Sequence, residues 1–266
     1  MSFSVAGKHA LVTGAGAGIN LAFAKLLLQR GCSVTIGDIG LRPGAEELLR
    51  QYPHVAGDNS KRPAAIFHKT DVSSWPQLNS LWARATSAFP SVDIVCPGAG
   101  IFEPEWSGFW EPPVTKTNPT SPSRDRADAE PGTYTQLNVN LTHPIRLSQL
   151  ALAHWLGEQN KAKAAAGQAR GVLLHTPMWT EDPEKIAMKR ETDDFAEPEE
   201  MAEAMLKLCE DPEYGDGTIL EVTKGALRVV PEYNAAPPSG RGLALAGYQE
   251  MQDKLVERLK SGGFKA

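Results

Sequence analysis

The chain has 266 residues, 41% of them hydrophobic and 22% charged, a balance that allows a sizeable α/β core and argues against global disorder. Its formal net charge is −5 with no basic block, which argues against nucleic acid as a partner. Cys32, Cys96 and Cys209 stand outside metal spacing, no apolar run reaches the length of a membrane span, and the first residues show no basic-then-apolar leader. The expectation is a soluble, cytoplasmic protein with no metal and no membrane contact.

His9 to Val12 reads as a short buried strand, followed by a turn containing Gly14, Gly16 and Gly18. Ile19, Phe23, Leu26 and Leu27 then recur at helical spacing, and Gly31 stands where a helix ends. A second strand closes on Asp38. Glycines without Cβ atoms let a ligand approach the backbone, and the helix behind them offers unpaired N–H groups and a positive dipole end to phosphate. Asp38 lies where a ribose-binding carboxylate belongs in a dinucleotide fold. A Walker-type loop is excluded, because no Gly-Lys-Ser/Thr follows the turn.

A short helix through Ala45, Leu48, Leu49 and Tyr52 is expected next, then a third strand over 64–68 leading into Asp71 and Val72. Ser74 is expected to cap a helix with Trp75, Leu78, Trp82, Ala85 and Phe89 on one face. A fourth strand, 92–96, ends in Pro97-Gly98-Ala99-Gly100. This alternation implies a Rossmann-like, doubly wound parallel sheet in a single α/β domain.

Residues 102–135 break the rhythm with six prolines, the tryptophans Trp106 and Trp110, and Phe102, Phe109 and Tyr134. The aromatic half is expected to be ordered, as a flap or as a decorated loop, and 115–130 to be mobile. A long helix over 136–156 follows, with apolar residues at 137, 141, 145, 152 and 155 and Asn140 as its residue of interest. A linker, a fifth strand at 171–174, a helix over 198–209, a final strand at 218–222 that closes the sheet and a last helix at 248–259 complete the expected order. Residues 1–230 are expected to form the dinucleotide-binding domain and 231–266 an extension.

The order of landmarks resembles the short-chain dehydrogenase/reductase family across nearly the whole chain. Thr13, Gly14 and Gly18 match its Thr-Gly-x-x-x-Gly-x-Gly, with Asn20 in place of the last glycine. The segments CPGAG, WSGFW, NVNLTHPIRLSQLA, TPMWTEDPEK and GTILEVTKGALRVV are similar to fungal proteins labelled 15-hydroxyprostaglandin-dehydrogenase-like. The resemblance implies NAD(H)-dependent interconversion of a secondary alcohol and a ketone on an unknown small molecule. It also implies cofactor contacts at Gly14, Ala15, Gly16, Gly18, Ile19, Asp38, Ile39, Asp71, Val72, Gly98, Ala99 and Gly100. Asp38 favours NAD over NADP because a carboxylate repels a 2′-phosphate, with Arg42 close enough to pull the other way. Asp71 reads as an adenine contact or a helix-start acid, and Asn140 as a proton-relay residue or an ordinary helix residue.

The family's chemistry requires a serine and a Tyr-x-x-x-Lys, whose lysine lies one helical turn from the tyrosine and helps its phenolate form. Here Tyr52, Tyr134, Tyr214, Tyr233 and Tyr248 are followed at i+4 by Ala56, Asn138, Thr218, Pro237 and Gln252. Thr176-Pro177 resembles the segment after the family's sixth strand, although it directly follows the fifth. An internal deletion at the His175–Thr176 junction is therefore expected, with loss of one central strand and helix, the catalytic pair and the usual dimer helix. Asn140 and Thr176 are left as residual catalytic candidates. His143, His154 and His175 read as structural, and Trp179 with Lys185 and Lys189 as either a substrate-side segment or a charged helix. Activity is expected to be absent or very weak. The alternatives are a non-catalytic NAD(H)-binding regulator or scaffold, and the product of a skipped exon or misread gene. A homo-oligomer stays compatible with the chain, though without that helix.

Overall fold

The computed structural model describes residues 3–57, 62–102, 104–109, 111–130, 132–156, 196–215, 217–231 and 257. Among the described residues four parallel strands form the sheet: β1 (His9–Thr13), β2 (Ser33–Asp38), β3 (Ala65–Lys69) and β4 (Ile94–Cys96), in the order β3-β2-β1-β4. Ala10 of β1 lies opposite Val34 of β2 on one side and Ile94 of β4 on the other. The strand order reverses at β1, so a crevice opens between the carboxyl ends of β1 and β4, the usual place for a ligand in such sheets.

Both faces of the sheet are covered, and period-two alternation assigns each strand residue to a face. Ala10, Val12, Val34, Ile36, Ile94 and Cys96 pack against Phe23, Ala24, Leu27 and Leu28 of α1 (Gly18–Gln29) and against Ala202, Met205, Leu206 and Cys209 of a late helix, Pro198–Glu210. Leu11 and Val95 point the other way, to Leu81 and Ala85 of α3 (Trp75–Ala88) and to Leu147, Leu150 and Ala151. Each fully buried large side chain contributes about 1.5–3 kcal/mol relative to exposure. Between them α2 (Pro43–Gln51) lays Leu48 on the first core. The three cysteines are buried, as expected of small hydrophobes, and burial pushes the Cys96 thiol up to about 12.

Several expectations are corrected. Trp75 is 47% exposed, and Leu81 takes the central place on the buried face of α3. Ser74 occupies the N-cap position, but its hydroxyl makes no capping bond. The start of α3 is organised instead by Asp71, whose carbonyl accepts from Ser74 N at 3.1 Å and whose amide donates to Gln77 Oε1 at 2.9 Å.

The long helix is three segments: α4 (Thr135–Leu137), a π-turn (Asn138–Thr142) and α5 (His143–Leu156). Leu137, Leu141, Ile145 and Leu152 lie on its exposed side, while Val139, His143, Leu147 and Leu150 face the protein. Two apolar stripes half a turn apart compete for the sheet, and the polar anchors Asn140 and His143, described below, decide between them. Trp155 does face inward, donating from Nε1 to Val92 O at 2.7 Å.

The late helix, α6 (Pro198–Glu210), begins with a proline as expected. Among the described residues the strand expected to close the sheet does not pair with it. β5 (Leu220–Thr223) pairs antiparallel with β6 (Ala226–Val229) through the two-residue loop Lys224-Gly225, with Gly225 at φ 69°. A two-residue loop ending in glycine is a hairpin signal, and it outweighs the single-strand reading. The expected strand at 171–174, the helix at 248–259 apart from Glu257, and Thr176 lie outside the described residues.

The insertion is anchored in both halves. Ser107 is fully buried and accepts from Gln136 N at 3.0 Å, while Asp125, 7% exposed, accepts from both Thr135 N and Thr135 Oγ1 at 2.8 Å. These bonds satisfy the first donors of α4, where Tyr134 brings no capping side chain. The 115–130 half, expected to be mobile, therefore supplies the cap of the helix that follows it.

Candidate functional site

The site is assembled at the carboxyl ends of β1, β2 and β4. Gly14 and Gly18 take positive φ, 73° and 60°, so the chain leaves β1, turns and enters α1 within a few residues. Ala17 stands at the N-cap without a side-chain bond, and the first turn of α1 carries no acid. The turn therefore presents backbone donors and a positive dipole end. Ala15 is fully buried in the core, so any ligand contact it makes falls to its main chain.

The second strand brings its acid to this turn. Asp38 Oδ2 accepts from Gly16 N at 2.8 Å and Oδ1 from Gly40 N at 3.2 Å. Arg42 N donates to Gly16 O at 3.0 Å, which ties the β2–α2 loop to the glycine turn. A Cβ on Gly16 would sit 2.1 Å from Gly40 O and 2.8 Å from the Asp38 carboxylate, so no other residue fits there. Ile39, next to Asp38, is 70% exposed and offers an apolar surface beside that carboxylate.

The β4 loop closes the other wall. Asn20, 4% exposed, stands where the sequence motif has a glycine; its Nδ2 donates to Gly98 O at 2.8 Å. A Cβ on Gly98 would lie 2.4 Å from Asn20 Oδ1, so Asn20 fills the space between the glycine turn and the β4 loop. Among the described residues that Oδ1 has no hydrogen-bond partner. Gly14 comes so close to Ala99 that a Cβ would be 2.7 Å from its Cα.

Asp71 and Val72 lie beside this crevice with different environments. Asp71 Oδ1 accepts from Ser73 N at 2.9 Å and from Ser73 Oγ at 2.7 Å, the behaviour of a helix-start acid. The Val72 side chain is 6% exposed, packed with Leu78, Val139, Ala99 and Ile101.

Asn140 sits in the π-turn and reads the backbone of the β4 loop twice. Its Oδ1 accepts from Ile101 N at 2.9 Å and its Nδ2 donates to Ile101 O at 2.6 Å. The side chain is thus a clamp between the π-turn and the β4 loop. Three residues later, His143 is fully buried, with Nδ1 3.1 Å from Val139 O and Nε2 3.0 Å from Thr13 Oγ1. Burial lowers its pKa to about 4, so the ring is neutral at physiological pH, as a structural histidine should be. Thr13 Oγ1 also accepts from Ala99 N at 3.3 Å.

Residues 8–165 match the family described as short chain dehydrogenase. Among curated proteins, a cis-4-hydroxycyclohexanecarboxylate dehydrogenase of Sinomonas cyclohexanicum is 37% identical over 105 residues, covering 40% of this chain and 39% of that protein. A hydroxynaphthalene reductase-like protein of Metarhizium guizhouense is 36% identical over 104 residues, covering 38% of this chain and 37% of that protein. The chain thus spans about two-fifths of the length of the curated relatives it matches.

Two solved structures share the fold. A short chain dehydrogenase from Mycobacterium avium aligns with TM-score 0.57 at 17% identity, covering 100% of this chain and 98% of that one. A 3-ketoacyl-(acyl-carrier-protein) reductase from Brucella melitensis, complexed with NADH, aligns with TM-score 0.54 at 20% identity, covering 79% of this chain and 93% of that one. A family match over more than half the chain, on a doubly wound sheet with a glycine turn at its switch point, makes this chain a member of the short-chain dehydrogenase/reductase family of oxidoreductases.

Proposed function

We propose that this chain binds NAD(H) at the β1/β4 crevice, and that its family activity on a secondary alcohol or ketone is strongly impaired. The observation that carries the cofactor reading is Asp38: its carboxylate is held at the end of β2 against the Gly16 amide, where it would accept a ribose hydroxyl and repel a 2′-phosphate. The residues present fit such a group. Gly18 is open, with nothing within 4 Å of a Cβ, at the uncapped start of α1, so the Gly14–Ile19 turn would hold the pyrophosphate. Ile39 and Asp71, with the Val72 main chain, would flank the adenine, and Gly98, Ala99 and Gly100 would line the nicotinamide side. Bound NAD(H) would accept or donate the hydride.

The impairment rests on the sequence, in which not one tyrosine is followed by lysine at i+4. Without that pair the family's proton-exchanging group is missing from the sequence, and the side chains of Asn140 and Thr176 do not replace a phenol of lowered pKa. We further propose that the serine and Tyr-x-x-x-Lys segment is deleted at the His175–Thr176 junction, together with the usual dimer helix, within a dinucleotide-binding domain spanning 1–230. The substrate is proposed only as a small hydroxy or keto compound, a class compatible with the names of the two curated relatives.

Calorimetry with NAD and NADP, beside a dehydrogenase assay on broad secondary alcohols, tests the reading. NAD binding with little turnover is the expected result. Turnover at ordinary family rates would overturn the impairment, and tighter binding of NADP than NAD would overturn the role given to Asp38. Sequencing genomic DNA and transcript across codons 175 and 176 tests the deletion: uninterrupted codons in both exclude a skipped exon or a misread gene and leave a degenerate relative.

A further inference from the structure

The π-turn has a cause in the sequence. In an α-helix the His143 amide would reach Val139 O, but here it bonds Asn138 O. Pro144 has no N–H to offer the carbonyl so vacated. The His143 ring fills the gap, with Nδ1 3.1 Å from Val139 O. A carbonyl only accepts, so Nδ1 carries the ring proton and the neutral ring's Nε2 is an acceptor. Thr13 Oγ1, 3.0 Å away, therefore donates to Nε2, and the same oxygen accepts from Ala99 N at 3.3 Å. One directed chain results: Ala99 N–H to Thr13, Thr13 O–H to His143, His143 Nδ1–H to Val139. It joins three pieces of the crevice, namely the glycine turn that follows Thr13, the β4 loop and the turn that carries Asn140.

We infer that His143 is a positioning residue of the dinucleotide site: acting through Thr13, it holds the glycine turn, the Ala99 wall and the Asn140 turn in one register. This inference rests on the cofactor reading above. The opposite tautomer would set a bare Nδ1 against a bare carbonyl oxygen in a buried place, a contact with no attractive component. Removing the ring leaves Val139 O without a donor and Thr13 free to turn its proton to Cys96 O, 3.4 Å away, so the wall loses its tie to the helix.

The test uses the full chain with NAD as the probe, in a double-mutant cycle of Thr13→Val and His143→Phe, with Thr13→Ser as the conservative variant. Each loss variant is expected to weaken NAD binding about tenfold, the worth of one net hydrogen bond. The double variant should be no weaker than Thr13→Val, because both changes cut the same chain. Thr13→Ser, which keeps the hydroxyl, should bind within about twofold of the parent. A long-range proton–nitrogen spectrum of the parent labelled in histidine, with His143 assigned by sequential connectivity, should show the Nδ1–H tautomer. That reading stands even if a loss variant does not fold.

An Nε2–H tautomer overturns the inference. So do folded loss variants that bind like the parent, or penalties that simply add. A parent chain that binds no NAD overturns the cofactor reading and this inference with it, whereas a binding parent with unaltered variants overturns this inference alone.

Discussion

Replacing Gly98 by alanine should destabilise the protein, and the penalty should vanish when Asn20 is removed. The backbone of Gly98 tolerates alanine, since its φ is not among the positive values. The obstacle is Asn20, whose Oδ1, Nδ2 and Cγ would lie 2.4, 2.6 and 2.7 Å from the new Cβ. Asn20 is 4% exposed and has nowhere to swing, so its bond to Gly98 O must break. Overpacking of this kind together with one lost hydrogen bond costs about 2–4 kcal/mol. Asn20→Gly alone should cost about 1 kcal/mol, the worth of that bond, because asparagine and glycine differ little in helix propensity. Adding Gly98→Ala in that background should then cost less than about 1 kcal/mol. Urea unfolding of the four chains, followed by tryptophan fluorescence, measures the coupling. Costs that add within about 0.5 kcal/mol would refute the packing argument.

Other outcomes follow from the same geometry. Asp38→Ala should weaken NAD at least about tenfold and narrow its advantage over NADP; unchanged affinity in calorimetry would remove Asp38 from the site. Burial lowers the pKa of His9 and of His143 from 6.5 to about 4, so between those values the unfolded chain binds more protons than the folded one. The stability they confer is complete above pH 6.5 and is lost as pH falls toward 4, by about 3 kcal/mol for each ring. His9→Gln should flatten its share of that slope in urea titrations at successive pH values, and an identical slope in both chains would contradict the assignment. Asp125→Ala leaves the amide and hydroxyl of Thr135 without their acceptor and should cost about 1–2 kcal/mol, read as a lower unfolding midpoint.

What the sequence determined by itself was the local and the periodic. Three strand–helix repeats, the glycine turn and the acid twenty residues after Gly18 are visible because short-range sterics and alternating burial write them into neighbouring residues. The absence of a Tyr-x-x-x-Lys is likewise a fact of the chain. Choices between locally equivalent options were left to the tertiary structure. The helix through Asn140 carries two apolar stripes, and only its bonds to Ile101 and Thr13 select the one that turns inward. Asn20 looks like a fault in a glycine motif until it is seen filling the space above Gly98. The residues around Asp125 read as a disordered spacer until their carboxylate is found capping a helix ten residues on. In each case the deciding partner lies across the fold, at a distance that spacing along the chain does not record.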